Sequence, residues 1–115
     1  MTFIDWGTVP VQTIAPGVRI RTPFGERLML SLVEIDEDAV VPPHSHPHEQ
    51  AGMVLEGVLE LAIGGDARTL EAGDAYMIPG NVTHSARAVR GRCRLLDVFS
   101  PIREDYARGM NQFTQ

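Results

Sequence analysis

The sequence predicts an all-β fold, either a sandwich or a barrel. Eleven glycines and eight prolines interrupt its 115 residues, and the short segments between them are rich in valine, isoleucine and leucine. Frequent turns between short β-prone segments are typical of that architecture. A chain of this length is expected to form one domain, so we treat residues 1–115 as a single unit.

The β-prone segments can be followed in chain order. They run over residues 9–14, 19–22, 27–35, 39–41, 53–55, 58–63, 68–70, 75–78, 82–89 and 93–99. Pro42 and Pro43 cannot donate ladder hydrogen bonds, which predicts a sheet edge or entry at that point. Gly64, Gly65 and Asp66 predict a tight hairpin.

The last part of the chain is predicted to leave the sheet. Pro101 should end the final strand, and residues 103–110 predict a short helix that stops near Gly109. We expect residues 111–115 to be frayed, as chain ends commonly are.

Composition and charge exclude several kinds of protein. The net charge is −5 and all ten basic residues are arginine, so the Schiff-base and P-loop chemistries that need lysine are absent. No basic tract is dense enough to make nucleic acid the main partner. A group of arginines flanks Gly91, which predicts a solvated hairpin turning at that glycine. They are Arg87, Arg90, Arg92 and Arg94.

The chain is expected to be cytoplasmic and to have no membrane partner. No apolar run approaches the ~20 residues that a membrane-spanning helix needs, and the first residues do not read as a secretion signal. The single cysteine, Cys93, excludes an internal disulfide framework and fits a reducing compartment. We interpret it as a small apolar side chain on a strand.

A histidine-rich stretch, residues 44–50, reads HSHPHEQ and predicts a metal site. Residues two apart on a strand point to the same face, so His44 and His46 are expected to point into the barrel together, and Gln50 keeps the same parity. His84 would reach the site from another strand. Four such groups would bind one divalent ion and leave one or two positions open.

The ligand types limit the chemistry of that ion. Three imidazoles and the amide of Gln50 are all neutral, so the ion would keep nearly its full charge, which favours Lewis-acid work on an anionic ligand. Redox iron stays open, because ligand type constrains the metal only loosely. We expect His48 and Glu49 to support the site or face solvent rather than to bind the ion.

These residues resemble the two motifs of the cupin superfamily. The matching positions are His44, His46, Gln50 and Gly57 in the first motif, and Gly73, Pro79 and His84 in the second. Gln50 replaces the usual glutamate, and Asp38, Gly80 and Ala88 depart from the pattern outside the ligands. The resemblance implies a cupin-type β-barrel (a double-stranded β-helix or jelly roll) with its core over about residues 27–106 and the metal inside. It also implies a homodimer.

A second resemblance is more specific. Residues 44–50 together with residues 95–106 look like the small pectin-degradation cupins of the KdgF type. That family implies an isomerase or tautomerase that ketonises 4,5-unsaturated monouronates from pectin or alginate breakdown to the linear 5-keto-4-deoxyuronate. It implies metal ligation by the four residues named above, and catalytic and substrate roles for Asp97, Phe99 and Arg103.

The chemistry of these side chains agrees with a small anionic sugar as the partner. Arg103 could hold a carboxylate through two hydrogen bonds, Asp97 could move a proton, and Phe99 and Tyr76 could contact the sugar ring. The metal could be nickel, zinc, manganese or iron.

Other interpretations stay open. Asp97 could instead pair with a nearby arginine, and Arg103 could be a surface charge at a helix end. At the level of function, the alternatives are a cupin dioxygenase using iron and oxygen and a non-catalytic sugar-acid-binding cupin.

Overall fold

The structure is a computed structural model that describes residues 2–109 and residue 113. Within that part of the chain, eight antiparallel strands and two short helices form the fold. They are a 3-10 helix at Trp6–Thr8, β1 at Gln12–Ala15, β2 at Val18–Arg21, β3 at Met29–Ile35, β4 at Val40–His44, β5 at Glu49–Ile63, β6 at Asp66–Leu70, β7 at Ala75–Ile78, β8 at His84–Ser100 and α1 at Glu104–Ala107. The predicted all-β fold with a short C-terminal helix is confirmed.

Two long strands, β5 and β8, form the centre of the sheet. They pair with each other from Glu49 opposite Ser100 to Ile63 opposite His84, with register shifts between residues 54 and 59. The predicted breaks at Gly57 and Gly91 are therefore wrong, and so is the hairpin at Gly91. Both glycines have positive φ, +89° and +70°, so they bend the paired strands at a bulge without ending them.

The bend brings the two ends of β8 to one site. A straight strand would hold His84 and Asp97 about 43 Å apart, which exceeds the longest dimension of the molecule, 35 Å. Both residues nevertheless line the same cavity. The glycine bulges are thus needed for the site as well as for the shape of the sheet.

The prolines of β4 lie at an irregular edge, as the sequence predicts. Among the described residues, β4 pairs with β8 alone, and its register shifts between Val41 and His44, where the two prolines lie. His44 then lies directly opposite His84. The irregular edge therefore ends by placing two histidines side by side.

The remaining predicted elements are close to the observed ones. The hairpin closes with Ile63 opposite Asp66, and β8 ends immediately before Pro101. The helix is shorter than predicted, Glu104–Ala107, and Met110 lies outside the described residues, as do residues 111, 112, 114 and 115 of the expected frayed tail. None of the described helices is long and apolar enough to cross a membrane.

The core follows the period-two alternation of the strands. In the second half of β8, every other residue is buried, and these residues are Cys93, Leu95, Asp97 and Phe99. Cys93 is fully buried and donates to the Val58 carbonyl at 3.1 Å, in agreement with its interpretation as a small core residue. Polar side chains are buried as well, and they concentrate around the histidine stretch. They are Ser31, His46, Gln50, His84, Asp97 and Arg103.

Candidate metal centre and adjoining cavity

Three histidines converge in the structure as the sequence predicts. The ligand atoms of His44, His46 and His84 all lie within 4.8 Å of one another, and the His44 and His84 ring centroids are 4.2 Å apart. The parity argument for His46 is wrong in detail, because β4 ends at His44 and His46 lies in the loop before β5. The loop turns the His46 ring inward, 5.0 Å from the His84 ring.

Each of these rings is oriented by a backbone carbonyl group two residues away in the chain. The Nδ1 atoms of His44, His46 and His84 lie 2.8, 3.1 and 2.9 Å from the carbonyl oxygens of Pro42, His48 and Val82. A carbonyl can only accept, so Nδ1 carries the proton in all three rings. Each Nε2 therefore presents a lone pair, which is the arrangement found in metal-binding histidines.

The lone pairs are arranged for a cation. Nε2 of His84 is buried and has no hydrogen-bond partner among the described residues. Nε2 of His46 faces Oε1 of Gln50 at 3.0 Å, although both atoms are acceptors, because the Gln50 amide group donates to Asp97 at 3.0 Å. Two acceptors at this distance repel each other unless a positive charge lies between them. The donor set fits a divalent ion.

Burial keeps the histidines neutral. It lowers the pKa of His44 and of His46 to about 4, and Coulombic repulsion from neighbouring histidines and Arg103 acts in the same direction. The pKa of His84 is also lowered, chiefly by burial. Neutral imidazole is the form that binds metals.

Asp97 lies beside the histidine cluster and is 6% exposed. Its two oxygens accept hydrogen bonds from the Tyr76 hydroxyl at 2.5 Å and from the Gln50 amide at 3.0 Å. Burial raises the pKa of Asp97 to about 6, and the two hydrogen bonds oppose this rise. Its side-chain partners among the described residues are thus Tyr76 and Gln50 rather than an arginine.

Arg103 is buried, not a surface charge at a helix end. It is 2% exposed, and its guanidinium carbon lies 3.9 Å from the Tyr106 ring and 5.2 Å from the Phe99 ring. Nη2 donates to Asp105 at 3.0 Å, whereas Nε and Nη1 are buried without a partner in the described part of the chain. Unpaired buried donors are costly, and charged N–H groups of this kind form strong hydrogen bonds with a carboxylate.

The other residues of the histidine stretch have supporting positions. His48 is half-buried, its ring lies 5.5 Å from that of His46, and its carbonyl orients His46. Glu49 is exposed. The ring of Phe113 packs edge-on against that of His44, with 4.9 Å between the ring centroids.

A cavity of about 50 Å³ joins these groups. Its polar and aromatic lining comprises Ser31, His44, Gln50, Tyr76, His84, Ser85, Asp97, Phe99, Arg103 and Tyr106. The structure thus places Tyr76, Asp97, Phe99 and Arg103 on one surface, as the sequence predicts. It adds Tyr106, whose only sequence signal is its spacing of three from Arg103 at a helix start.

Comparison with known proteins identifies the class. A model of the cupin domain matches residues 31–99, which is more than half of the chain. The chain therefore belongs to the cupin family.

Its particular likeness is to KdgF. Over 106 aligned residues it is 34% identical to the pectin degradation protein KdgF of Dickeya dadantii (strain 3937), covering 90% of this chain and 96% of that protein. The structure of KdgF from Halomonas sp. matches with a TM-score of 0.84 and 32% identity, over 92% of this chain and 98% of that one.

A second solved structure shows the same architecture. An RmlC-like cupin from Shewanella frigidimarina NCIMB 400 matches with a TM-score of 0.85 and 30% identity, over 92% of this chain and 96% of that one. These likenesses confirm both the cupin-type barrel and the resemblance to the KdgF-type cupins.

Proposed function

We propose that the protein is a metal-dependent enzyme that ketonises 4,5-unsaturated monouronates from pectin or alginate breakdown to the linear 5-keto-4-deoxyuronate. One observation carries the proposal: a single cavity is lined by two residues of the histidine cluster, His44 and His84, by a buried carboxylate and by a buried guanidinium with two N–H groups that have no partner among the described residues. The likeness to a pectin degradation protein supports the same conclusion.

Arg103 and Phe99 would bind the substrate. The substrate carries a carboxylate, and Nε and Nη1 of Arg103 are two buried donors without partners in the described chain. Stacking on Tyr106 and packing near Phe99 hold the guanidinium plane in place. Phe99 itself lines the cavity, where its ring would contact the sugar.

One divalent ion would be held by His44, His46, Gln50 and His84, with nickel, zinc, manganese and iron as the candidates. When bound, it would supply Lewis-acid polarisation of a substrate oxygen. Gln50 also connects the ion site to the catalytic carboxylate, because its amide group donates to Asp97.

Asp97 would move the proton. In the substrate, ring opening breaks the bond between the ring oxygen and C1, which leaves an aldehyde at C1 and an enol at C5. The enol becomes a ketone when its hydroxyl loses a proton and C4 gains one. Electrons balance without an oxidant or reductant. A carboxylate positioned in the cavity can carry out such a transfer, which typically contributes ~10²–10⁴-fold.

The homodimer expected from the resemblance would use the outer face of the sheet. Leu32, Leu96 and Met53 are paired across β3, β8 and β5 on that face, and Met53, Leu55 and Met77 are 43%, 43% and 64% exposed. Apolar side chains at this density on one sheet face favour association. Sedimentation as a monomer at micromolar concentration would contradict the dimer. The cytoplasmic location stays a prediction.

The decisive experiment uses the purified protein with freshly made unsaturated galacturonate. We expect the absorbance of the conjugated double bond to disappear faster than in the spontaneous reaction, without oxygen consumption. No acceleration would reject the enzyme and leave a sugar-acid-binding protein, which calorimetry with the same acid would detect. Oxygen uptake with iron bound would instead support the dioxygenase.

A further inference from the structure

Gly52, Tyr76 and Asp97 form a row across three neighbouring strands. Gly52 of β5 is paired directly with Tyr76 of β7 on one side and with Asp97 of β8 on the other. Directly opposed residues in an antiparallel sheet lie close enough for their side chains to interact. Because the middle residue has no side chain, the two outer side chains meet over it, and the Tyr76 hydroxyl donates to Asp97 Oδ1 at 2.5 Å.

The glycine is needed for space rather than for backbone conformation. A Cβ atom at residue 52 would overlap Oδ1 of Asp97 and the Cε1 and Cζ atoms of Tyr76. Gly52 is not among the residues with positive φ, so its backbone conformation is open to any amino acid. A glycine inside a strand commonly marks such a close approach.

We propose that Gly52 and Tyr76 are positioning residues for Asp97, an inference that rests on the proposed function. Gly52 leaves the space in which the Tyr76 hydroxyl reaches the carboxylate. The Gln50 amide holds the second oxygen, so the two hydrogen bonds fix the plane of the carboxylate for proton transfer. The sequence predicted that Tyr76 contacts the substrate. We assign its hydroxyl to Asp97 instead.

The first test is Tyr76→Phe, which removes only the hydroxyl. Loss of one hydrogen bond to a charged group should lower kcat by about 10- to 100-fold, while KM changes less than about 2-fold and metal content stays the same. In an Asp97→Ala background, the same change should have no further effect, because the hydroxyl acts through Asp97. An additive loss, or a loss that falls on KM, would overturn the proposal in favour of direct substrate contact.

The second test adds one methyl group with Gly52→Ala. It should lower kcat at least as much as Tyr76→Phe, since both partners of the hydrogen bond must move. Gly25→Ala is the matched control, because the φ angle of Gly25 is not positive and no atom lies within 4 Å of an added Cβ. An unchanged kcat for Gly52→Ala would overturn the proposal.

The experiments separate this inference from the proposed function. An inactive wild type would reject the ketonisation alone. Crystal structures of Tyr76→Phe and Gly52→Ala would then decide the positioning role: a rotated Asp97 carboxylate supports it, and a carboxylate that keeps its place in both variants overturns it.

Discussion

The paired strands β5 and β8 contain two regions of opposite design. The bend, residues 54–59 and 90–94, has an apolar interior, with Val54, Leu59 and Cys93 fully buried. Its ion pairs lie at the surface, where Arg92 contacts Glu56 at 3.0 Å and Glu34 at 3.7 Å.

The mouth, residues 44–52, 76, 84 and 97–106, reverses this arrangement. Its polar groups are inside, and several have no partner in the described chain: Nε2 of His84 and Nε and Nη1 of Arg103. Two arginines make the difference plain, because the Arg92 side chain is 55% exposed and that of Arg103 is 3% exposed.

The difference separates stability from function. Buried polar groups without partners destabilise a fold, so the mouth is retained at a cost that a bound ion and ligand would offset. The bend contributes packing and geometry but no chemistry. Substitutions of the buried polar residues in the mouth should therefore change binding or turnover, and substitutions in the bend should change the free energy of unfolding.

The largest expected effect is that of His46→Ala in the mouth. Removing one of three converging imidazoles should release the ion and abolish measurable turnover, because a bound metal supplies several kcal/mol of charge stabilisation. Elemental analysis of the purified variant measures the loss directly. His48→Ala is the matched control and should keep both metal and activity. If the purified His48→Ala protein also contained no metal, His48 would belong to the ligand set.

Asp97→Ala should have the next largest effect on activity. We expect kcat to fall by ~10²–10⁴-fold, as for the loss of a positioned proton-transfer group, with metal content unchanged. Asp97→Asn keeps the size of the side chain but cannot take a proton, so it should be equally slow. A metal-free Asp97→Ala protein would show instead that Asp97 holds the ion site together.

Arg103→Lys should have a smaller effect that falls on binding. Lysine keeps the charge but loses the planar fork that holds a carboxylate with two hydrogen bonds, so KM should rise by about 10-fold while kcat changes little. Steady-state kinetics with unsaturated galacturonate measures both. Arg92→Lys at the bend is the control, and an unchanged KM in Arg103→Lys would remove Arg103 from carboxylate binding.

The same two regions show what the sequence could predict. The convergence of three histidines at the mouth was predictable because their spacing carries chemical information, and the irregular edge at the prolines of β4 because prolines remove hydrogen-bond donors. The bend was mispredicted at Gly57 and Gly91. A glycine with positive φ gives the same local signal in a turn and in a bulge, and only the pairing of β5 with β8 distinguishes them. Gly52 was missed for the same reason, since its neighbours lie on other strands.

The smallest effects should come from the two bend glycines, and they should differ from each other. Alanine in the left-handed region costs about 1–2 kcal/mol of stability at either position. At Gly91 nothing lies within 4 Å of an added Cβ, whereas at Gly57 it would overlap the Arg92 carbonyl oxygen and approach Cys93 Sγ at 2.9 Å. Gly57→Ala should therefore lose a further ~1–3 kcal/mol through overpacking.

Urea unfolding measures these differences, with kcat of the folded fraction as the second readout. Gly91→Ala should be the milder variant and keep wild-type kcat. Because the curvature at the bend brings His84 and Asp97 to one cavity, a folded Gly57→Ala protein with normal stability and low kcat would show that the bend tunes the chemistry directly. A normal kcat with lowered stability would confirm that the bend acts only through the fold.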